Sequence, residues 1–395
     1  MSLLKKPLLA PLTSLRFFAA LAILVHHCNG VFWPAADLGP LDVGVSFFFV
    51  LSGFILTYVH RDLPLERSSL RNFYCARIAR IWPLHLLCLL ATIVFVQIPE
   101  PFNPWVLAAN ASLLHAWIPF DRYFFSYNYV SWSISTELAF YLAFPFLLTY
   151  ARRWHFRILL PALAIVVALI FWSYSAALPM WDTAHDHLSS TGLLYSNPLA
   201  RFAEFLVGMA IAFLFLSRQS QRSTSHRYGT IIEMVIVGLF IVAYRYFLLS
   251  FAPLVHEVML SAGATHVPLV RITAEAALLS QISPLARLAI DEWVNHVGLT
   301  PFAALAIYIF ALQRGAISRW LASPIMVFLG EISFALYLVH QLILRVMQQQ
   351  QIALTWVSFV AYVAAVVIAA AALHLLVERP LRRWFVGSLS VQSAK

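Results

Sequence analysis

The chain has 395 residues, 62% of them hydrophobic and 11% charged, with a formal net charge of +9. Soluble domains carry about 25% charged residues, so a water-facing surface over the whole chain is excluded and most of the surface must face lipid. The basic excess sits in short loops, which makes it a matter of topology and argues against a nucleic-acid partner. A length that would divide into two or three soluble domains reads here as one membrane domain over residues 1–384, with a short polar cytoplasmic tail at 385–395.

A helix needs about 20 apolar residues to cross a hydrocarbon core of about 30 Å. On that criterion the fold is all-α, a polytopic transmembrane bundle with spans at 13–33, 42–60, 80–98, 128–150, 157–176, 198–216, 230–252, 297–313, 325–347 and 354–377. Lys5 and Lys6 before the first apolar run outline a signal peptide. His26 and His27 stand where small residues precede a cleavage site, so the first span is expected to stay uncleaved. Cys28, Cys75 and Cys88 form no CxxC and have no histidine at zinc spacing; they read as packing residues, and no metal is expected.

With ten spans and both termini cytoplasmic, nineteen of the 26 Lys and Arg residues fall in inner segments, from Lys5 and Lys6 through Arg152, Arg153 and Arg157 to Lys395. Only Arg122, Arg271 and Arg287 fall outside. Counting 104–119 as a crossing would put Arg152–Arg157 outside and break the bias, so that stretch is expected to be re-entrant or interfacial. The outer loops 99–127, 177–197 and 253–296 carry Trp105, Trp117, Tyr123, Trp181, Asp182, Asp186, Asp291 and Trp293. These are belt residues at the water boundary or the rim of an entrance for a polar acceptor.

Ionisable residues inside spans are costly, so function is sought there first. Arg16 and His27 in the first span are eleven residues apart, about three turns, and share a face; His26 is turned about 80° away. The stripe from Arg16 to His27 is roughly 16 Å long. Arg77 and Arg80, three apart, share a face and read either as a forked phosphate contact or as topology anchors. Ser133, Glu137 and Tyr141 form a stripe on the fourth span. Arg201 and Glu204, followed by Gly208, open the sixth as a local ion pair or part of a site. Ser333, Tyr337 and His340 share a face of the ninth.

Arg16 with His27, the segment Leu41-Asp42-Val43-Gly44-Val45-Ser46-Phe47-Phe48-Phe49-Val50-Leu51-Ser52-Gly53-Phe54, the Arg77/Arg80 pair, Trp132-Ser133-Ile134-Ser135-Thr136-Glu137, Arg201…Glu204-Phe205…Gly208 and Ser333…Tyr337…His340 occur in this order. The set resembles acyltransferase family 3, integral membrane proteins that O-acylate bacterial surface polysaccharides, lipopolysaccharide, peptidoglycan and some natural products. The resemblance covers roughly residues 10–380. Some members carry a C-terminal periplasmic esterase-like domain of SGNH type, which this chain is expected to lack.

The resemblance implies a multi-pass O-acetyltransferase of the bacterial inner membrane, with acetyl-CoA or a similar acyl-CoA as donor. Its acceptor would be a hydroxyl of a surface or lipid-linked glycan. Arg16, Arg77 and Arg80 would hold the CoA phosphates. His27 would act as general base or brief acyl carrier, with Glu137 orienting or charge-stabilising it. Tyr337 and His340 would line the acceptor side, and Ser133, Tyr141, Arg201, Glu204 and Ser333 would line or support it. Two alternatives stay open: a macrolide or other small metabolite as acceptor, and a secondary transporter of a small solute or lipid-linked sugar. No duplicated half-patterns of transporter kind are seen.

Overall fold

The computed structural model describes residues 7–33, 41–98, 101–182, 185–218, 228–247, 293–294 and 296–384. Lys5, Lys6, Arg222, Arg227, Arg271, Arg287, Asp291, most of loop 253–296 and the tail 385–395 lie outside the described residues. The described chain is helical, and two isolated bridges, Asn29 with Trp33 and Phe120 with Leu188, are its only extended pairings.

Several helices begin where the sequence supplies a start. Pro11 sits in the first turn of α1 (Ala10–Cys28), where its missing N–H costs no hydrogen bond. Asn103 caps α4 (Pro104–Ala111) by accepting from the backbone N–H groups of Trp105 and Val106, at 2.9 and 3.3 Å. Asn197 likewise accepts from Leu199 N at 3.0 Å to open α7 (Pro198–Ser217). The other long helices are α2 (Gly44–His60), α3 (Arg67–Phe95), α5 (Trp132–Trp154), α6 (Leu159–Ser175), α11 (Pro324–Gln349) and α12 (Trp356–Leu373). Shorter ones are α8 (Gly229–Val242), α9 (Thr300–Ala311) and α10 (Ala316–Leu321).

Eight described helical segments are long and apolar enough to cross a membrane, and they overlap eight of the ten expected spans. The spans expected at 230–252 and 297–313 contain α8, prolonged by a π-helical turn Ala243–Phe247, and α9, each shorter than a full crossing. The stretch 104–119 holds no helix long enough to cross a membrane. After the eight residues of α4 the backbone reverses at Leu113, which holds a positive φ of 59°, into a 3₁₀ turn His115–Trp117. α3 corrects one boundary: it begins thirteen residues before the expected span at 80–98, so Arg71, Arg77 and Arg80 are helical and continuous with it. The arginines lower the local hydropathy without breaking the helix.

Helix ends rich in arginine gather at one face. There Arg152 Nε donates to the Arg61 carbonyl oxygen at 2.8 Å and Tyr58 Oη donates to that of Pro7 at 3.0 Å, joining the ends of α5, α2 and α1. Buried Glu233 of α8 latches the same region, accepting from the backbone N–H groups of Gly315, Ile317 and Ser318 at 2.8 to 3.2 Å and from the Ser318 hydroxyl.

The closest crossings are made at glycines, which let backbones meet where any Cβ would intrude. A Cβ at Gly208 of α7 would lie 2.0 Å from the Val50 carbonyl oxygen of α2, and one at Gly53 of α2 would lie 1.9 Å from that of Phe205. A Cβ at Gly330 of α11 would lie 2.0 Å from the Thr13 carbonyl oxygen of α1. Gly238 has nothing within 4 Å of its Cβ position. Gly208→Ala is therefore expected to cost at least roughly 1–3 kcal/mol of overpacking, while Gly238→Ala is neutral or slightly stabilising. Thermal melting of the detergent-solubilised variants tests this; equal shifts would contradict the seam.

Candidate functional site

A cavity of about 360 Å³ opens at the arginine-rich face and runs inward between α1, α2, α3, α5 and α11. Arg16, Arg77 and Arg80 line it, with Glu331 and Arg382 also on its wall. Among the described residues none of the three arginines closes a carboxylate contact within 4 Å, and the buried Nε of Arg77 has no acceptor. The Arg77 guanidinium stands 5.8 Å from the Tyr141 ring centroid. Glu137 and Glu378 supply the opposite charge acting on Arg16 and Arg80. The cavity is thus cationic and under-neutralised, with forked donors suited to phosphate.

Further along the cavity, Glu137 accepts the Tyr141 hydroxyl one turn away and lies 3.5 Å from Ser52 Oγ. One turn beyond Glu137 the cavity closes. Ser133 Oγ and Tyr337 Oη are 2.8 Å apart, and both reach the Val130 carbonyl oxygen at 3.0 Å. The continuous stripe expected from Arg16 to His27 is therefore interrupted, because the Tyr337 phenol crosses from α11 to α5 and separates the arginine cavity from the histidines.

Beyond Tyr337, His340 of α11 meets His27 of α1. Nε2 of His340 lies 3.2 Å from Nδ1 of His27, with ring centroids 5.1 Å apart. Carbonyl oxygens fix the tautomers, since they only accept. His27 Nδ1 is 2.9 Å from the Ile23 carbonyl oxygen and His340 Nδ1 is 2.7 Å from that of Tyr337, so both Nδ1 atoms carry the proton. His340 Nε2 then takes a share of the His27 N–H. His27 Nε2 keeps its lone pair, as a general base requires. Tyr362 Oη steadies the His340 backbone by donating to its carbonyl oxygen at 3.1 Å.

This geometry corrects the expected partnership of Glu137 with His27: no such contact exists among the described residues. Glu137 lies four residues from Ser133 toward the arginine-rich face, and His340 lies three residues from Tyr337 in the other direction. The two levels are separated by about 10 Å of helix rise. The ring that orients His27 is His340.

The remaining expected residues fall into a second buried group and a structural turn. Fully buried Arg201 pairs with Glu204 at 2.7 Å, donates to Ser46 Oγ at 3.1 Å and stands between 5.2 and 5.6 Å from the ring centroids of Phe49, Trp132 and Tyr195. Ser333 Oγ turns back onto the Gly330 carbonyl oxygen at 2.8 Å, within its own helix.

Two features were missed in the sequence. Asp42 pairs with His296, which lies far along the chain and gave no local signal. His374 and Glu378, 3.0 Å apart, were readable as an i, i+4 pair, but Glu378 lies just past the expected end of the last span. No group of three or more His, Cys, Asp or Glu able to hold a metal is found among the described residues.

The family model described as an acyltransferase domain matches residues 11–375, and the chain belongs to that family, acyltransferase family 3. It is similar to acyltransferase MdmB of Streptomyces mycarofaciens, 28% identical over 408 residues, which cover 95% of this chain and 92% of that protein. It is also similar to O-acetyltransferase OatA of Staphylococcus aureus, 22% identical over 346 residues covering 83% of this chain, and spans about half (49%) of that relative's length. A third relative, the candidate peptidoglycan O-acetyltransferase YrhL of Bacillus subtilis, is 25% identical over 231 residues, 52% of this chain and 33% of that protein. No solved structure matches. The chain is thus a membrane acyltransferase, and the transporter alternative falls away.

Arg201 and Glu204 form a fully buried ion pair, with Nε 2.7 Å from a carboxylate oxygen. Arg201→Ala strands a buried carboxylate and is expected to cost roughly 3–5 kcal/mol, whereas the paired Arg201→Met, Glu204→Gln variant recovers much of that loss. Unfolding of the purified variants distinguishes the two, and an unfolding midpoint unmoved by Arg201→Ala would refute the structural role.

Proposed function

We propose that the protein is an O-acetyltransferase that moves an acetyl group from cytoplasmic acetyl-CoA to a hydroxyl of a surface or lipid-linked glycan. It would do so as a single membrane domain in the bacterial cytoplasmic membrane, with the arginine-rich face inward. The observation that carries the reading is the under-neutralised arginine cavity, which opens on that face and ends one helical turn short of the His27–His340 pair.

A coenzyme A thioester is polyanionic at one end and reactive at the other. Arg77, Arg80 and Arg16 meet its phosphates, so the nucleotide stays near the mouth and the slender pantetheine arm enters the cavity. The thioester then lies at the closed end. His27 Nε2 removes the proton from the acceptor hydroxyl approaching from the opposite face, and His340 holds the ring in the tautomer that can do so. Support for a glycan acceptor comes from the O-acetyltransferase names of two relatives, one of which specifies peptidoglycan. The positive-inside bias supports the orientation.

The arginines give the sharpest test. Each charged hydrogen bond lost contributes about 1.5–3 kcal/mol, so Arg77→Ala with Arg80→Ala is expected to weaken acetyl-CoA binding by at least about 100-fold while leaving the fold intact. In the wild type that affinity should fall as salt rises. Calorimetric titration of nanodisc-embedded protein measures both. Unchanged affinity in the double variant would leave the arginines as topology anchors and overturn the donor site. For the acceptor, deletion of the gene should remove alkali-labile acetate from the surface glycan, and an unaltered acetate content would exclude that acceptor.

A further inference from the structure

The closed end of the arginine cavity has an uneven chemistry. Val45, Phe48, Ile134 and Phe334 wall it without a hydrogen-bonding side chain, yet it terminates on two hydroxyls, Ser133 Oγ and Tyr337 Oη, 2.8 Å apart. Both side chains are buried. Each hydroxyl has one proton, and both can rest on the single Val130 carbonyl oxygen at 3.0 Å. In that state neither proton is locked, because if either hydroxyl turns away the other still satisfies Val130. The Tyr337 ring centroid is 5.8 Å from that of His340, which is 5.1 Å from that of His27. A polar pair with a redirectable proton thus stands between the cavity and the general base.

We propose that Tyr337 and Ser133 bind the thioester carbonyl oxygen and hold the negative charge that develops on it during transfer. This rests on the reading of the cavity as the acyl-CoA site. The acceptor oxygen bonds to the carbonyl carbon as His27 Nε2 takes its proton. The carbonyl π pair moves onto oxygen, where the two hydroxyls donate to it. On collapse the C=O bond reforms and the C–S bond breaks; the departing thiolate sulfur takes the proton from the His27 imidazolium. Donors placed beforehand in a water-poor site stabilise such an oxyanion far more than water does. The arrangement also explains why Tyr337 closes the cavity: the group that ends the donor channel is the group that receives the reacting carbonyl.

The test uses the full chain in nanodiscs, with acetyl-CoA carrying ¹³C at the acetyl carbonyl as the probe. Wild-type protein should lower the infrared stretch of the bound thioester carbonyl relative to free acetyl-CoA, and Tyr337→Phe should return it toward the free value. In acyl transfer, Tyr337→Phe is expected to lower kcat about 100-fold with KM for acetyl-CoA within about twofold, since the lost contact acts mainly in the transition state. Ser133→Ala should do the same to a smaller degree, and it removes too little volume to disturb packing, so it carries the test if Tyr337→Phe folds poorly. An unshifted stretch and unchanged kcat in Ser133→Ala, or in both variants, would overturn the pair as oxyanion donors while leaving the donor site standing. Absence of any bound-carbonyl signal in the wild type at saturating acetyl-CoA would overturn the donor site, and this inference with it.

Discussion

The contact on which the rest depends is the crossing of α1 and α11 at Gly330, where a single added methyl would collide with the Thr13 carbonyl oxygen. That approach puts two polar helix faces within hydrogen-bonding reach. At one end it sets Arg16 beside the cavity; at the other it closes His27 against His340. Lipid offers no hydrophobic driving force between helices, so tight backbone packing at small residues is the available source of such precision. Gly53 and Gly208 play the corresponding part between α2 and α7, which holds Ser46 at Arg201 and Ser52 near Glu137.

The second constraint is charge. A bundle interior tolerates an arginine only if it is paired, stacked or wet. Arg201 is paired and stacked. Arg16, Arg77 and Arg80 instead share a cavity with Glu137, Glu331 and Tyr141, and among the described residues none of the three closes a carboxylate contact within 4 Å. The contrast divides the buried arginines by use. Arg201 holds helices together, and in the proposed function the cavity arginines receive an anion that comes and goes. The histidines lie just beyond Tyr337, so in the proposed mechanism the donor's charge is held at one level of the bundle and the proton is moved at the next.

Much of this was legible in the sequence, and the illegible part has a physical cause. Apolar run length located eight helices long and apolar enough to cross a membrane, and keeping Arg152–Arg157 on the inner side led 104–119 to be read as re-entrant or interfacial, a stretch in which the backbone reverses after eight helical residues. The helical period placed Arg16 and His27 on one face of α1. Period determines a face within one helix but says nothing of axial register between helices. Glu137 was therefore matched to His27 although it lies about two turns away from it, and His340, 313 residues distant, was not seen as the ring that orients it. The pairing of Asp42 with His296 was hidden for the same reason. The early start of α3 escaped because hydropathy measures lipid exposure, and arginines facing a cavity lower it within an intact helix.

In the proposed reaction a proton passes through one of two adjacent histidines. His27 has its Nδ1 proton held by Ile23 and shared with His340, whereas His26 meets it edge-on, with ring centroids 5.4 Å apart. The direct measurement is acetyl transfer in membranes for His27→Ala and His26→Ala at matched protein abundance. His27→Ala is expected to insert normally and transfer nothing, while His26→Ala keeps most of its activity. An active His27→Ala beside an inactive His26→Ala would contradict this.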